Sequence, residues 1–68
     1  MKWRNMSENG KQTTIALENN TWEIIDTVSK NNWHKWAVSK LESRPAGATK
    51  AGWVRNAAID ECNKLFVN

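Results

Sequence analysis

Few residues in this chain have the chemistry for catalysis or metal binding. Cys62 is the single cysteine and His34 the single histidine, and their separation matches no zinc-ligand spacing. The seven acidic residues are scattered as expected for solvated faces, and no nucleophile stands beside a matched base. The sequence also lacks a glycine-rich loop of the kind that cradles phosphate. We therefore expect no enzyme, no metal site and no cofactor, and we interpret Cys62 as a core residue.

The size and charge of the chain restrict its partners. A single domain of 68 residues buries little surface by itself, and one cysteine excludes an internal disulfide. Association with a second chain is the remaining source of stability, and five tryptophans offer core or interface area. A formal net charge of +3 permits nucleic acid as a partner without requiring it. No apolar run spans a membrane and no signal peptide follows Met1, so we expect a cytoplasmic protein with no membrane partner.

A short alternating segment is the one strand that we predict. Residues 1–10 are polar and irregular and are expected to form a flexible arm, in which Trp3 docks on the body or stacks on a partner. Residues 11–68 are expected to form the domain, beginning with a strand at 11–17. Alternation gives this strand two faces, with Thr13, Ile15 and Leu17 on one and Gln12, Thr14 and Ala16 on the other.

No partner for this strand is predicted within the chain. An isolated strand cannot persist, because its backbone groups would remain unpaired. We therefore expect it to pair with the same strand of a second chain across a two-fold axis, as an antiparallel ribbon. The predicted fold is mostly α with one short β-strand, in an intertwined homodimer.

Three helices are predicted to follow the strand. The first runs from about residue 21 to 31 with Asn20 at its N-terminal cap, the second covers 33–42, and the third covers 50–66 with Thr49 as its cap. A Pro-Gly break separates the last two helices. The apolar positions and the inner strand face are expected to form the core or dimer interface: Thr13, Ile15, Leu17, Trp22, Ile25, Val28, Trp36, Leu41, Trp53, Val54 and Ala58.

The order of strand, helix and helix resembles the ribbon-helix-helix superfamily of the MetJ and Arc type. The resemblance is carried by residues 13–28, TTIALENNTWEIIDTV, and the segment KAGWVRNAA at 50–58 also resembles the second helix of that family. Two registers remain open. Either residues 33–47 contain the second helix and residues 49–66 form an additional C-terminal helix, which is the register we prefer, or residues 33–47 are an insertion.

The resemblance implies a homodimer that inserts its ribbon into the major groove of double-stranded DNA. Gln12, Thr14 and Ala16 would then read bases, the last by apolar contact alone. The DNA backbone would be contacted by basic residues beside the ribbon and by the start of the first helix: Lys2, Arg4, Lys11, Asn19, Asn20 and Thr21. The implied role is a transcriptional repressor, with higher-order assembly on tandem sites. The resemblance does not select an operator sequence, a regulated system or an effector.

Two alternative functions depend on exposed tryptophans. A small helical adaptor for protein–protein interaction, without nucleic-acid binding, would use a tryptophan-rich surface, and the strand segment would be an arm. A single-strand binder would use exposed tryptophans as platforms on which bases stack.

Overall fold

The computed structural model describes residues 1–66 and contains a two-stranded antiparallel sheet followed by three helices. The elements are β1 (Lys2–Glu8), β2 (Lys11–Leu17), α1 (Asn19–Val28), α2 (Trp33–Glu42) and α3 (Lys50–Phe66). The predicted strand at 11–17 and the predicted helices at 33–42 and 50–66 are confirmed. The first helix begins two residues earlier and ends three residues earlier than predicted. The arrangement is ribbon-helix-helix-like within a single chain.

β1 replaces the flexible arm that was predicted for residues 1–10. It pairs with β2 along its whole length, from Lys2 opposite Leu17 to Glu8 opposite Lys11. Asn9 and Gly10 connect the strands with φ values of 53° and 80°. Two consecutive positive φ values define the turn that Asn-Gly favours in tight hairpins, and that dipeptide is the signal that was overlooked. The predictions of a single strand, and of a strand without a mate in its own chain, are therefore wrong.

The inner face of β1 carries too little apolar surface to suggest a strand from its sequence. Met6 is its one buried apolar residue, and Arg4 and Glu8 lie on either side of it. Each of these charges is satisfied across the fold, Arg4 by Asp26 and Glu8 by Lys50. The strand therefore depends on tertiary ion pairs as well as on burial, and a pattern of hydrophobicity does not report such pairs.

The core lies between the inner face of the sheet and the three helices. α3 is central, because it packs against α1, α2 and β2. The buried apolar side chains are Met6, Ile15, Leu17, Trp22, Ile25, Ala37, Leu41, Val54 and Ala58. Seven of the eleven predicted core residues are among them, whereas Thr13, Val28, Trp36 and Trp53 are partly buried. Cys62, interpreted as a core residue, is also only partly buried.

Four of the five tryptophans are integrated into the fold. Trp22 is buried and meets Trp33 edge to face, with ring centroids 5.5 Å apart. Three indole N–H groups donate hydrogen bonds: Trp22 to the Lys2 carbonyl, Trp36 to the Glu61 carboxylate and Trp53 to the Lys40 carbonyl. Only Trp3 is largely exposed among the tryptophans, so the expected tryptophan-rich surface is not found in residues 1–66.

The start of α3 follows the expected capping chemistry, whereas the start of α1 does not. Thr49 caps α3, because its Oγ1 accepts the Gly52 N–H at 3.1 Å, as predicted. Glu18, rather than Asn20, occupies the cap position of α1, and its side chain makes no capping hydrogen bond. None of the helices within residues 1–66 combines the length and the apolar character that a bilayer span requires.

Candidate nucleic-acid interface

The outer face of the sheet carries six side chains in three cross-strand pairs. These residues, which we call the ribbon face, are Trp3 opposite Ala16, Asn5 opposite Thr14 and Ser7 opposite Gln12. All are exposed except Ala16, which is partly buried. The prediction that Gln12, Thr14 and Ala16 share an outward face is confirmed. The three residues of β1 were not predicted as part of this face, because β1 itself was not recognised.

The chemistry of the ribbon face is polar and uncharged. Asn5 and Gln12 supply amides, and Ser7 and Thr14 supply hydroxyls, so the face offers both hydrogen-bond donors and acceptors. One contact organises it, because Thr14 Oγ1 donates a hydrogen bond to Asn5 Oδ1 at 2.7 Å across the two strands. Side chains of this kind exchange hydrogen bonds with water in the free protein and with base edges in a groove.

Trp3 lies at the open end of the ribbon face. Its side chain is 68% exposed, and the small Ala16 stands opposite it. The expectation that Trp3 docks on the body is therefore not met. An indole exposed to this degree is available to stack on or pack against a partner.

The two edges of the sheet differ in whether their outward backbone groups are hydrogen-bonded to another element. In a two-residue hairpin, the residues that flank the turn exchange backbone hydrogen bonds, and the next pair directs its N–H and C=O groups outward. The outward groups of β1 therefore include Ser7, whose N–H donates to Nε2 of His34 on α2 at 3.1 Å. The outward groups of β2 belong to Gln12, Thr14 and Ala16. Within the described residues, no hydrogen bond to another element is formed by these backbone groups.

Two lysines stand at opposite ends of the hairpin, at inner-face positions of the two strands. Lys2 stands at the open end of β1 and Lys11 at the turn end of β2, and both are exposed. A strand of seven residues places its ends about 20 Å apart. Neither lysine forms an ion pair within residues 1–66. Both residues alternate with the ribbon-face residues and start from the inner face of the sheet, so their long side chains would have to extend past the ends of the hairpin to reach phosphates.

Arg4, predicted to contact the DNA backbone, lies on the inner side of the sheet. Its guanidinium forms two hydrogen bonds with Asp26, at 2.8 and 3.0 Å, and stacks over Trp22 at 4.5 Å from the ring centroid. The hydrogen bond from Arg4 lowers the pKa of Asp26, and the same bond raises the pKa of Arg4. Arg4 therefore belongs to the packing of β1 on α1, and its guanidinium is engaged within the fold.

The start of α1 is also less open than predicted. Thr21 is only 8% exposed, although Asn19 and Asn20 are exposed. Glu18 places a carboxylate beside this helix end, and Arg55 of α3 contacts it at 3.1 Å. The hydrogen bond from its own backbone N–H is the largest effect that lowers the pKa of Glu18, and Arg55 adds to it. An acidic group already occupies the region where a phosphate was expected.

Comparison with known proteins finds no matching family model, no matching curated protein and no matching solved structure. Within residues 1–66, no three His, Cys, Asp or Glu side chains come together in a way that could hold a metal ion. The candidate site consists of the ribbon face and the two lysines at the ends of the hairpin.

Proposed function

We propose that this protein binds double-stranded DNA and reads the major groove with the ribbon face. The observation that carries the proposal is the division of the sheet into a buried inner face and an outer face of amides and hydroxyls. The resemblance of residues 13–28 to the ribbon-helix-helix superfamily supports it. The mildly basic charge of the chain supports it further, because phosphate contacts dominate the affinity for DNA.

The hairpin has the dimensions that the groove requires. The major groove of B-DNA is about 12 Å wide and admits a two-stranded β-ribbon. Two paired strands lie about 4.8 Å apart, so the ribbon and its outward side chains fit this width. The single chain already contains both strands, so insertion of a ribbon does not depend on a second chain. Gln12 and Thr14 contact base edges, and Ala16 offers apolar contact to a thymine methyl.

Exposed cations at the ends of the hairpin would make the phosphate contacts. Lys2 and Lys11 would neutralise phosphates and position the ribbon without reading sequence. Asn19 and Asn20 are exposed at the start of α1, but the neighbouring Glu18 carboxylate repels phosphate, so we propose no backbone contact at this helix end. We assign no phosphate contact to Arg4 or Thr21, because both are engaged in the fold.

The proposed assembly is a homodimer that forms through the open edge of β2. Two copies of β2 related by a two-fold axis at Thr14 would pair Gln12 with Ala16 of the other copy. The outward backbone groups of both strands would then be satisfied, and the two hairpins would form a four-stranded sheet about 14 Å across, in which the two central β2 strands enter the groove and each β1 lies at its rim. A dimer of this kind fits a transcriptional repressor that recognises a palindromic site and assembles on tandem sites.

Duplex selection followed by affinity measurement tests the DNA proposal. A random duplex library is selected on the wild-type chain, and the enriched duplex is then titrated in gel shifts at several salt concentrations. The Gln12→Ala plus Thr14→Ala variant is expected to lose about 10- to 100-fold in affinity, since each base contact contributes to discrimination. Ser39→Ala plus Asn56→Ala removes comparable exposed polar groups from α2 and α3 and is expected to bind within about twofold of wild type.

The DNA proposal fails if no duplex is enriched, or if the ribbon-face variant and the control variant bind equally well. Enrichment of single strands alone, with quenching of Trp3 fluorescence, would replace it by single-strand binding. The adaptor function has no comparable support, since four tryptophans are packed and the strand segment belongs to a sheet.

Sedimentation equilibrium tests the dimer at micromolar concentrations. The wild type is expected to sediment as a dimer. Ala16→Pro removes an N–H from the open edge of β2 and is expected to sediment as a monomer with unchanged helical circular dichroism. Trp3→Pro is the matched control, because it removes an N–H from the same cross-strand pair at the opposite edge. A monomeric wild type, or equal association of the two proline variants, would contradict the proposed interface.

A further inference from the structure

We infer that Asn5 and Thr14 act as one joint contact that selects A·T base pairs through the adenine edge in the major groove. The inference rests on the proposed function, because it requires the ribbon face to enter that groove. It adds Asn5 to the reading residues and names the kind of sequence that they recognise.

The hydrogen bond between the two side chains defines what the pair presents. Thr14 Oγ1 donates to Asn5 Oδ1 at 2.7 Å, so the hydroxyl proton is used and the hydroxyl lone pairs remain as an acceptor. Asn5 Nδ2 remains as a donor. If the amide is rotated by half a turn, Nδ2 donates to the hydroxyl, Oδ1 becomes the acceptor and the hydroxyl becomes the donor. In both orientations the pair presents one donor beside one acceptor.

Adenine is the base whose own major-groove edge complements this arrangement. It displays N7 as an acceptor beside the N6 amino group as a donor. Guanine displays two acceptors, N7 and O6, so one of them would face the acceptor of the pair. Cytosine displays a single donor, and thymine displays an acceptor and a methyl group. A joint contact to adenine therefore uses both groups of the pair on one base, whereas in a G·C pair the same set is met only by spanning two bases, guanine O6 and cytosine N4.

The remaining side chains of the ribbon face favour the same bases. Gln12 carries an amide, which pairs with adenine N6 and N7 in the same way as asparagine. Ala16 and the methyl group of Thr14 suit contact with the thymine methyl. Arginine and lysine are the side chains that pair with guanine, and the ribbon face contains neither.

The cross-strand arrangement holds the pair in place before DNA binds. Asn5 and Thr14 are directly opposite in the register, at a pair that directs its backbone groups outward, where side chains approach most closely. Both residues lie on strands anchored by buried neighbours, Met6 on β1 and Ile15 on β2. The side chains therefore lose little conformational entropy when they contact a base, and a small entropy loss favours affinity.

Three synthetic duplexes of equal length test the inference: alternating A·T, alternating G·C and alternating inosine·C. Inosine·C has the major-groove edge of G·C, but its minor groove resembles that of A·T because the guanine 2-amino group is absent. Wild type is expected to bind A·T about 10-fold or more tightly than G·C. Inosine·C is expected to bind like G·C. Equal binding of A·T and inosine·C would place the contact in the minor groove and overturn the inference.

Two variants assign the preference to the pair. Asn5→Ala removes the amide, and Thr14→Val removes the hydroxyl while keeping the branched shape that suits a strand. Each is expected to reduce the preference for A·T over G·C to about threefold or less. Ser39→Ala, on α2, is expected to keep the wild-type ratio. Replacing adenine by 7-deazaadenine removes N7 and is expected to weaken wild type about fivefold and Asn5→Ala hardly at all.

The outcomes separate this inference from the proposal beneath it. If the wild type binds none of the duplexes, including the one enriched from a random library, the proposed function fails. If it binds duplexes but prefers G·C, or if Asn5→Ala and Thr14→Val keep the wild-type ratio, the inference fails while DNA binding stands. Circular dichroism of each variant checks that the sheet and helices remain folded.

Discussion

The guanidinium of Arg4 on β1 and the carboxylate of Asp26 on α1 are joined by two parallel hydrogen bonds, at 2.8 and 3.0 Å. Both side chains are partly buried, with 21% and 33% of their surface exposed. The contact fastens the hairpin to the helix that follows it, and Arg4 also stacks on Trp22. This ion pair orients the ribbon face relative to the helices together with the Glu8–Lys50 ion pair and the buried side chains of the inner face.

Asp26→Asn is expected to lower the free energy of unfolding at pH 7 by about 1 kcal/mol, a value reduced for the partial exposure of the pair. Arg4 holds the pKa of Asp26 below its ordinary value in the folded state. The stabilisation is therefore complete above the pKa of the unfolded chain, about 3.9, and is lost as the pH falls through the lower folded pKa. Urea unfolding followed by tryptophan fluorescence at pH 7 and near pH 3 measures both effects.

In the same experiment the wild type should lose more stability between pH 7 and pH 3 than Asp26→Asn does. Asp60→Asn is the control, because Asp60 pairs with Lys64 on an exposed helix face. That change is expected to cost less than about 0.5 kcal/mol at pH 7. Equal acid sensitivity of the wild type and Asp26→Asn would show that the ion pair does not stabilise the fold.

Gly10→Ala is expected to destabilise the fold by about 1 kcal/mol or more. Gly10 has a φ of 80°, in a region that residues with a Cβ atom adopt at a cost of about 1–2 kcal/mol. Gly47→Ala is the matched control, because Gly47 has an ordinary φ and no atom lies within 4 Å of an added Cβ. The control should be neutral or slightly stabilising. Thermal or urea unfolding compares the two, and equal stability would contradict the turn geometry.

Trp3→Phe is expected to remove most of the fluorescence that iodide quenches and to change stability by less than about 0.5 kcal/mol. The reason is exposure, since Trp3 is 68% exposed and Trp22 is 2% exposed. Trp22→Phe should show the opposite pattern, with quenching retained and a loss of about 1–3 kcal/mol from the broken hydrogen bond to Lys2 and poorer packing. If iodide quenches the Trp3→Phe variant as strongly as the wild type, Trp3 is not the exposed indole.

Lys11→Ala is expected to reduce the slope of log affinity against log salt by about 1 on the enriched duplex, because one phosphate contact is lost. Lys64→Ala is the control. Lys64 lies 14 residues along α3 from Lys50, whose Nζ contacts Glu8, so it stands about 21 Å from the turn end of the ribbon. Gel shifts between about 50 and 200 mM salt measure the slopes. Equal slopes for both variants would remove Lys11 from the interface.

The elements that follow strong local rules could be predicted from the sequence. The alternation of residues 11–17 fixed both the strand and the outward position of Gln12 and Thr14, and Thr49 marked the start of α3. The first helix starts at Asn19 and not at residue 21 as predicted, with Glu18 in place of Asn20 at the cap position. Capping preference favours Asn over Glu, so the local rule predicts the later start, and the observed start departs from that rule.

β1 could be predicted only in part. The Asn9–Gly10 turn was readable, but the strand before it has one buried apolar residue, and its inner charges are satisfied by Asp26 and Lys50. Those partners lie far along the chain, and no local pattern shows them. Half of the ribbon face lies on β1, so the sequence predicts only half of the candidate site. The sequence also predicts pairing of β2 with a second chain, because β1 is not expected from its pattern.

The hydrogen bond from the Ser7 N–H to His34 limits how the sheet can grow. A strand added along β1 would have to displace the imidazole and its edge-to-face contact with Trp33. Within the described residues, the edge of β2 is therefore open to a strand, whereas the edge of β1 is obstructed at Ser7. A molecule with two ready edges can add copies without end and form a fibre, whereas a molecule with one ready edge stops after a single addition. If two chains pair through β2 as proposed, a further strand would have to add at β1, where the His34 imidazole on that edge opposes it.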